Sequence, residues 1–457
     1  MLSLRLHRDQ LRDGARALQG IARAHEAAWL CIVVSSRPSR SAAWGSARLR
    51  RPDDIVALLD DDDDALAVVL APEDRRAGLE SLAALVEQIP APAGSFVALV
   101  ARRAPPRHDY RFDGPVASFA CGARVLSAHA AALHRPETLC FQVLRGAIDG
   151  RSTVECLLAR QIPLRRRAAA PLRAPATRHA GSVAVLLPHR GSPALLAAAL
   201  RSIACGDIGT KVLVGIDGRG TAAYRSLMSR YPAVEFFQSE PAPVGPYAIR
   251  HALALRARAS HLLFHDSDDV SCRDRVDRLD QAMRRTRASL VGSHELRIDE
   301  ICECVTAVRF PLDVNAALRV NPHHPMLFPS TLMRRDSYFE VGGLSTDRTF
   351  AYDTQFVFRC SFDLRIANVD DFLYIRRRRE GSLTTAPATA LGTPVRVELL
   401  TSWMRDFRAV KAGRMAIDQS SLRVMPRREP YRLASLATGR ASHRRSPWVV
   451  AHGDRSR

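Results

Sequence analysis

Residues 182–204 read SVAVLLPHRGSPALLAAALRSIA. The apolar run Ser182–Leu187 has the length and branching of a buried strand and ends at Pro188. Ser192 and Pro193 then offer an N-cap and a first-turn proline to a helix over 194–204. The pattern repeats downstream, with strands over 211–216, 234–237 and 261–264 and helices over 222–230 and 246–259. Strands that are apolar on both faces, alternating with helices, predict an α/β fold: a doubly wound, mostly parallel sheet covered on both sides. Ligands of such sheets bind outside the carboxyl ends of the strands, so the chemistry is sought there.

Four carboxylates occupy those ends. Asp217 closes the second strand, and Asp266, Asp268 and Asp269 follow the fourth in HLLFHDSDD, residues 261–269. A D-x-D pair after a buried strand aims two carboxylates at one point beyond the sheet, the oxygen donor set that Mg²⁺ or Mn²⁺ bridging two phosphates requires. An acid in this place also serves as an Asx turn into the next helix, the plainer role for Asp269. Downstream, Arg376–Arg379 is an uninterrupted run of arginine. Successive side chains of an extended segment alternate, so at most two of the run face one phosphate. Gly381-Ser382 reads as the turn that follows, with Ser382 a further phosphate contact.

The chain of 457 residues is 47% apolar and 25% charged, which excludes disordered, collagen-like and small disulfide-scaffold classes. Residues 1–157 alternate a helix over 10–28, strands over 29–34, 65–70 and 95–100, and a helix over 75–88. They predict a second α/β domain, for which no motif reveals a role. The acid run Asp60–Asp64 reads as a solvated loop. Residues 158–178 mix Pro and Ala with six arginines and no acid, the composition of an exposed linker. The doubly wound domain occupies 179–422 and includes a helix near 395–408, whose apolar side suits packing onto the domain, with lying on a membrane surface as the second reading. Residues 423–457, rich in Arg, Ser and Pro, read as a basic, poorly ordered tail.

The formal charge is +20, of which the linker contributes +6 and the tail +7. Only Lys211 and Lys411 are lysines; the other basic residues are all arginine. A nucleic-acid partner is not expected from a chain whose two domains are nearly balanced. An anionic membrane surface is the partner that suits the linker and the tail. Nine cysteines without a CxxC pair indicate neither a disulfide framework nor zinc. Met1–Gln19 lacks the apolar segment of a secretory signal, and no apolar run approaches the ~18 residues that span a bilayer. The expectation is a cytoplasmic protein, peripheral on the inner face of the membrane.

The motifs after residue 180 fall in the order and spacing of one known family. The opening strand with Pro188, the strand ending in Asp217, the Gly245-Pro246-x₃-Arg250 turn and FHDSDD at 264–269 resemble the nucleotide-binding half of glycosyltransferase family 2, inverting enzymes of the GT-A fold. Ser330–Arg335, Phe339–Leu344, Tyr352-Asp353-x₂-Phe356-x₂-Arg359, and Tyr374–Arg379 followed by Gly381-Ser382-Leu383-Thr384 resemble its acceptor-binding half. The match spans roughly residues 180–385.

This resemblance implies an enzyme that moves a sugar from a nucleotide-sugar donor to a hydroxyl of a glycan or lipid-linked acceptor, in surface-polysaccharide biosynthesis, with a divalent metal (Mn²⁺ or Mg²⁺). It implies that Pro188, Asp217, Arg250, Asp266, Arg376, Arg379 and Ser382 bind the nucleotide sugar, Asp217 at the base and Asp266 at the ribose. Asp266 and Asp268 would hold the metal, Asp268 directly. Asp353, matching the aspartate of the family's Glu-Asp motif, would be the general base. His323, His324, Ser330 and Tyr352 fall in the acceptor region. Tyr352 departs from the family pattern, standing where a glutamate is usual. His189-Arg190 and Ile216 also depart from it, and His265 reads as a packing residue.

Two other readings compete. A GT-A module that binds nucleotide or glycan without catalysis is favoured by Tyr352 and opposed by the presence of Asp266, Asp268 and Asp353 together. Gly218-Arg219-Gly220-Thr221-Ala222-Ala223 has the outline of the dinucleotide fingerprint of an NAD-dependent oxidoreductase. It follows the second strand, however, and Asp217 would sit beside the pyrophosphate. The only acid near the required distance for a ribose is Glu240, beyond the third strand.

Overall fold

The computed structural model describes residues 1–7, 28–35, 64–87, 94–150, 156–162, 183–204, 210–218, 221–241 and 243–436, together with a few isolated residues between them. In chain order the strands are β1 (Leu2–His7), β2 (Leu30–Ser35), β3 (Arg48–Leu49), β4 (Leu66–Leu70), β5 (Ser95–Ala101), β6 (Arg111–Pro115), β7 (Phe119–Gly122) and β8 (Cys156–Ile162). There follow β9 (Val183–His189), β10 (Lys211–Ile216), β11 (Glu235–Glu240), β12 (His261–Phe264), β13 (Val270–Ser271), β14 (Leu290–Asp299), β15 (Cys304–Arg309), β16 (Leu332–Arg334), β17 (Ile366–Arg378) and β18 (Arg432–Ser435). The helix expected over 10–28 lies outside the described residues except at Leu11 and Ala28. So does the acid run except at Asp64, which is exposed.

The first sheet has the order β3-β1-β2-β4-β7-β5-β8. Strands β2 and β4 are buried along their whole length, because both faces of the sheet are covered. Leu79, Leu82, Leu85 and Val86 of the helix Arg75–Glu87 cover one face, with Ile32, Val34, Val68 and Leu70 beneath them. Leu139, Phe141 and Leu144 of the helix Pro136–Asp149 cover the other, over Cys31, Val33, Val69 and Phe96.

The second sheet has the order β13-β17-β14-β16-β12-β9-β10-β11-β18, with β15 on β14 and β6, from the first half, on β15. Strands β9 to β12, β14 and β17 run one way, while β16, β13 and β18 oppose them. The class is the expected α/β. The sheet is mixed rather than mostly parallel, because β16 returns between β12 and β14 and β18 folds back onto β11. Strand β9 also runs one residue past Pro188, to His189. The helix expected over 222–230 begins as a 3₁₀ turn, Thr221–Tyr224, before Arg225–Arg230.

Two domain boundaries are corrected. Residues 158–162 belong to β8, paired with β5 and burying Leu158 and Ile162, so the linker does not begin before 163; residues 163–178 lie outside the described residues. The C-terminal stretch is built into the fold as far as 436. Tyr431 and Leu433 are buried, β18 pairs with β11, and the Tyr431 hydroxyl donates to the Ala248 carbonyl at 2.9 Å. An apolar segment here covers what would otherwise be an open sheet edge. Residues 437–457 lie outside the described residues. The helix Pro394–Lys411 packs onto the domain through Trp403 against Tyr352 and Phe407 against Phe358 and Phe362.

The two halves share a core. Leu296, Ile298, Val305, Ala307, Phe372 and Ile375 of the second sheet join the apolar cluster of the helix Pro136–Asp149. Beside it the guanidinium of Arg309, fully buried, pairs through Nε with Asp113. Its Nη1 donates to Gln161 and Asp370, both at 3.1 Å, and Nη2 to the Ala101 carbonyl at 2.9 Å.

Candidate active site

The carboxyl ends of β9, β10, β12 and β17 converge with the starts of the helices Pro246–Arg256 and Tyr352–Asp363. At the end of β10, Asp217 is buried and its carboxylate is taken by three internal donors: Ser239 Oγ at 2.9 Å, and the Val244 and Gly245 amides at 2.8 Å each. Gly245 has φ +94, and a Cβ there would meet Thr349 at 2.9 Å, so this turn requires glycine. Asp217 therefore braces the turn that launches the helix Pro246–Arg256. Pro188 is buried within β9, opposite Gly215. His189, next to it, meets Ser267 Oγ at 2.8 Å; burial lowers its imidazole to about 4, so it is neutral.

After β12, Asp266 and Asp268 each meet an arginine. Arg250, buried, pairs with Asp266 Oδ1, and Arg379 donates to Asp268 Oδ2 through Nη2 at 2.9 Å and Nε at 3.2 Å. Burial, opposed by Arg250 and reinforced by the charge of Asp268, raises the Asp266 carboxyl above its ordinary value. Among the described residues no group of three or more His, Cys, Asp or Glu could hold a metal ion. The two carboxylates nevertheless suit a hard cation bound together with a diphosphate, which needs only one or two protein carboxylates. Asp266 Oδ2 and Asp268 Oδ1 stand outside the arginine pairs among the described residues.

Asp269 accepts the Arg377 amide of β17 at 2.8 Å, and burial raises its carboxyl well above the ordinary value; its role is structural, but it is a contact to β17 in place of the Asx turn expected for it. His265 is fully buried with Nδ1 3.2 Å from the Tyr374 hydroxyl, a packing residue as expected.

Asp353 lies in the first turn of the helix Tyr352–Asp363, where the helix dipole attracts a carboxylate. It accepts the Tyr247 hydroxyl at 3.3 Å. The charge of Arg376 acts on both Asp353 and Asp266 of the D-x-D. Burial opposes its charge, yet Glu295, Asp269, Asp266 and Asp353 together raise it above its ordinary value. Of the other arginines in the run, Arg377 pairs with Glu300 and Asp149 and Arg378 with Asp299. Arg376 and Arg379 are thus the two that face the site.

The remaining expected residues divide. His324 Nδ1 lies 3.3 Å from Thr354 Oγ1, one residue from Asp353, and burial lowers its imidazole against the pull of the Asp353 charge. His323 Nδ1 lies 3.5 Å from Asp109 of the first half. Ser382 is held within its own turn by Thr384 and Thr385. Ser330 and Tyr352 do not reach the site surface. Ser330 is fully buried and donates to the Leu327 carbonyl at 2.7 Å. The ring of Tyr352 is buried against Tyr247 and Trp403, with its hydroxyl on Asp347. An apolar core position accepts tyrosine where a surface position would not require it.

Several residues at the site escaped the sequence reading. Tyr247 sits inside a quoted motif but carried no role. Glu295, fully buried, pairs with Arg297 and lies 3.9 Å from Arg376; it stands in a stretch, LVGSHELRID, whose several polar residues give no signal that singles it out. Asp109 and Tyr110 come from the half of the chain without motifs.

No family model and no curated protein matches the chain. Among solved structures it is similar to S. aureus TarS residues 1–349 in complex with UDP-GlcNAc, at 17% identity and TM-score 0.41, over 50% of this chain and 66% of that one. It is similar also to S. aureus TarS residues 1–349, at 14% identity and TM-score 0.37, over 50% of this chain and 72% of that one. For S. aureus TarS as a longer chain the values are 14% and 0.38, over 50% and 43%. The chain thus spans just under two thirds of the first of these structures.

Proposed function

We propose that the protein is an inverting glycosyltransferase that moves a sugar from a nucleotide-sugar donor to a hydroxyl of a glycan or lipid-linked acceptor, in surface-polysaccharide biosynthesis. The observation that supports this most directly is the grouping of Asp353 with Arg376 and the arginine-paired Asp266 and Asp268 at one end of the sheet. Arg376 and Arg379 bind the donor's diphosphate as bidentate partners. Asp353 accepts the proton of the acceptor hydroxyl as its oxygen bonds to the anomeric carbon. The bond from that carbon to the diphosphate oxygen breaks, its electron pair leaves with the nucleoside diphosphate, and the configuration inverts. A divalent cation, Mn²⁺ or Mg²⁺, held by Asp268 and Asp266 would neutralise charge on the departing diphosphate. Asp217 acts on the nucleotide through the turn it braces.

The reaction is placed at the cytoplasmic face of a membrane, with the basic segments 163–178 and 437–457 as contacts to anionic lipid. Among the described residues no helix is long and apolar enough to cross a membrane. The test is nucleotide-sugar turnover with and without Mn²⁺. Wild type is expected to turn over at least one donor and Asp353→Asn to fall to background; equal rates for the two would refute the assignment of the base.

A further inference from the structure

The first half of the chain reaches the proposed site. Strand β6 pairs with β15, placing Phe112 opposite Val308 and Arg111 opposite Arg309. The segment before it carries Tyr110 to His323 and His324, with ring centroids 6.1 Å from each. His324 in turn contacts Thr354, the neighbour of Asp353. Phe112 is 50% exposed. The guanidinium of Arg297 lies over its ring at 4.9 Å from the centroid, and the rings of Phe112 and Tyr110 meet edge to face at 5.7 Å and 78°. Arg297 lies beside Arg376 in the register of β14 and β17 and pairs with Glu295, so this ring and the arginine facing the diphosphate belong to one wall.

We infer that Asp109, Tyr110 and Phe112 form a carbohydrate subsite for the acceptor, in which the exposed part of the Phe112 ring packs on the C–H face of a pyranose ring of a glycan. This rests on the glycosyltransferase reading above. A half-exposed ring held by Arg297 and Tyr110 offers an apolar surface with little ordering left to lose on binding. Asp109, His323 and Arg297 around it supply the donors and acceptors that sugar hydroxyls need. A single exposed ring among polar groups suits a sugar; an apolar patch of several residues would suit a protein.

The test measures binding of a panel of soluble gluco-, galacto-, manno- and N-acetylglucosamine oligosaccharides by saturation-transfer NMR, alongside hydrolysis of nucleotide sugars with water as acceptor. Wild type is expected to bind at least one oligosaccharide. Phe112→Ala is expected to weaken that binding roughly tenfold, Phe112→Tyr to restore it, and donor hydrolysis to be unchanged in both. Binding of no panel member by wild type, equal binding by Phe112→Ala, a parallel fall in donor hydrolysis, or a change of oligomeric state in place of glycan binding would each overturn the subsite. Glycan binding that depends on Phe112, with no donor turnover in wild type, would count against the transferase reading and leave the subsite standing.

Discussion

The Tyr247 hydroxyl donates to the Asp353 carboxylate at 3.3 Å, and its ring is packed at 5.7 Å against that of Tyr352. Burial, with the Asp353 charge adding to it, raises the phenol well above its ordinary value, so it stays a donor at every physiological pH. The carboxylate proposed as the base is therefore held by a residue that cannot compete for its proton. Tyr247→Phe should lower kcat about five- to tenfold, the worth of one hydrogen bond, with the donor KM unchanged. Asp353→Asn should lower it by 10² or more. Steady-state kinetics on the two variants would decide, and a larger loss from Tyr247→Phe than from Asp353→Asn would reverse the roles.

Arg309 is fully buried between the two halves, with Asp113, Gln161, Asp370 and the Ala101 carbonyl around it. Arg309→Met would leave Asp113 and Asp370 facing an apolar side chain. A loss of about 3–5 kcal/mol is expected in denaturant unfolding. A loss below about 1 kcal/mol would mean the halves are held by their shared apolar cluster alone.

His294 makes folding sensitive to mild acid. Its Nδ1 accepts the Phe310 amide at 3.1 Å and its Nε2 lies 3.2 Å from Asp370, so the ring is neutral with its proton on Nε2. Burial, with the charge of Arg309 adding to it, lowers its folded value below the ordinary one, despite Asp370 and Asp113. The unfolded chain therefore takes up the proton first. The contribution of His294 is fully present above about pH 6.5 and is lost as pH falls through that value. Burial of Asp370 is outweighed by hydrogen bonds from His294 and Gln161, which keep its carboxyl below the ordinary value and ionised throughout this window. Thermal melts between pH 7.5 and 5 should show a steeper loss for wild type than for His294→Gln; parallel curves would exclude the residue.

Residues 422–436 should be required for stability. Removing the chain after Ser421 deletes Leu422, Tyr431 and Leu433, all buried, and strips β18 from β11. Each lost core side chain is worth about 1.5–3 kcal/mol. Ending the chain after Leu436 instead should leave the melting temperature unchanged, and a stable protein ending at 421 would contradict the placement of β18.

Much of the second half was legible because apolar strands and helix caps report burial directly. The strands over 211–216 and 261–264 agree residue for residue, and Asp266, Asp268, Arg250, Arg376, Arg379 and Asp353 do come together. What periodicity cannot carry is the order of strands, so the insertion of β16 between β12 and β14 was not foreseen, nor was the return of β18. Side-chain direction was equally hidden. Ser330 and Tyr352 sit at positions that match a motif yet turn inward, and Asp217 spends its oxygens on Ser239, Val244 and Gly245. The approach of Tyr110 to His324 depends on a pairing between residues nearly two hundred apart in sequence.

That pairing also governs where the molecule can be cut. A fragment beginning near residue 180 would carry β15 without β6 and present a bare row of amides and carbonyls to water, a template for pairing with another chain. It would also keep Arg309 without Asp113, Gln161 and the Ala101 carbonyl. The segment bearing the motifs is therefore a poor candidate for expression alone: its weak point is a self-associating edge on the side where the acceptor is proposed to bind.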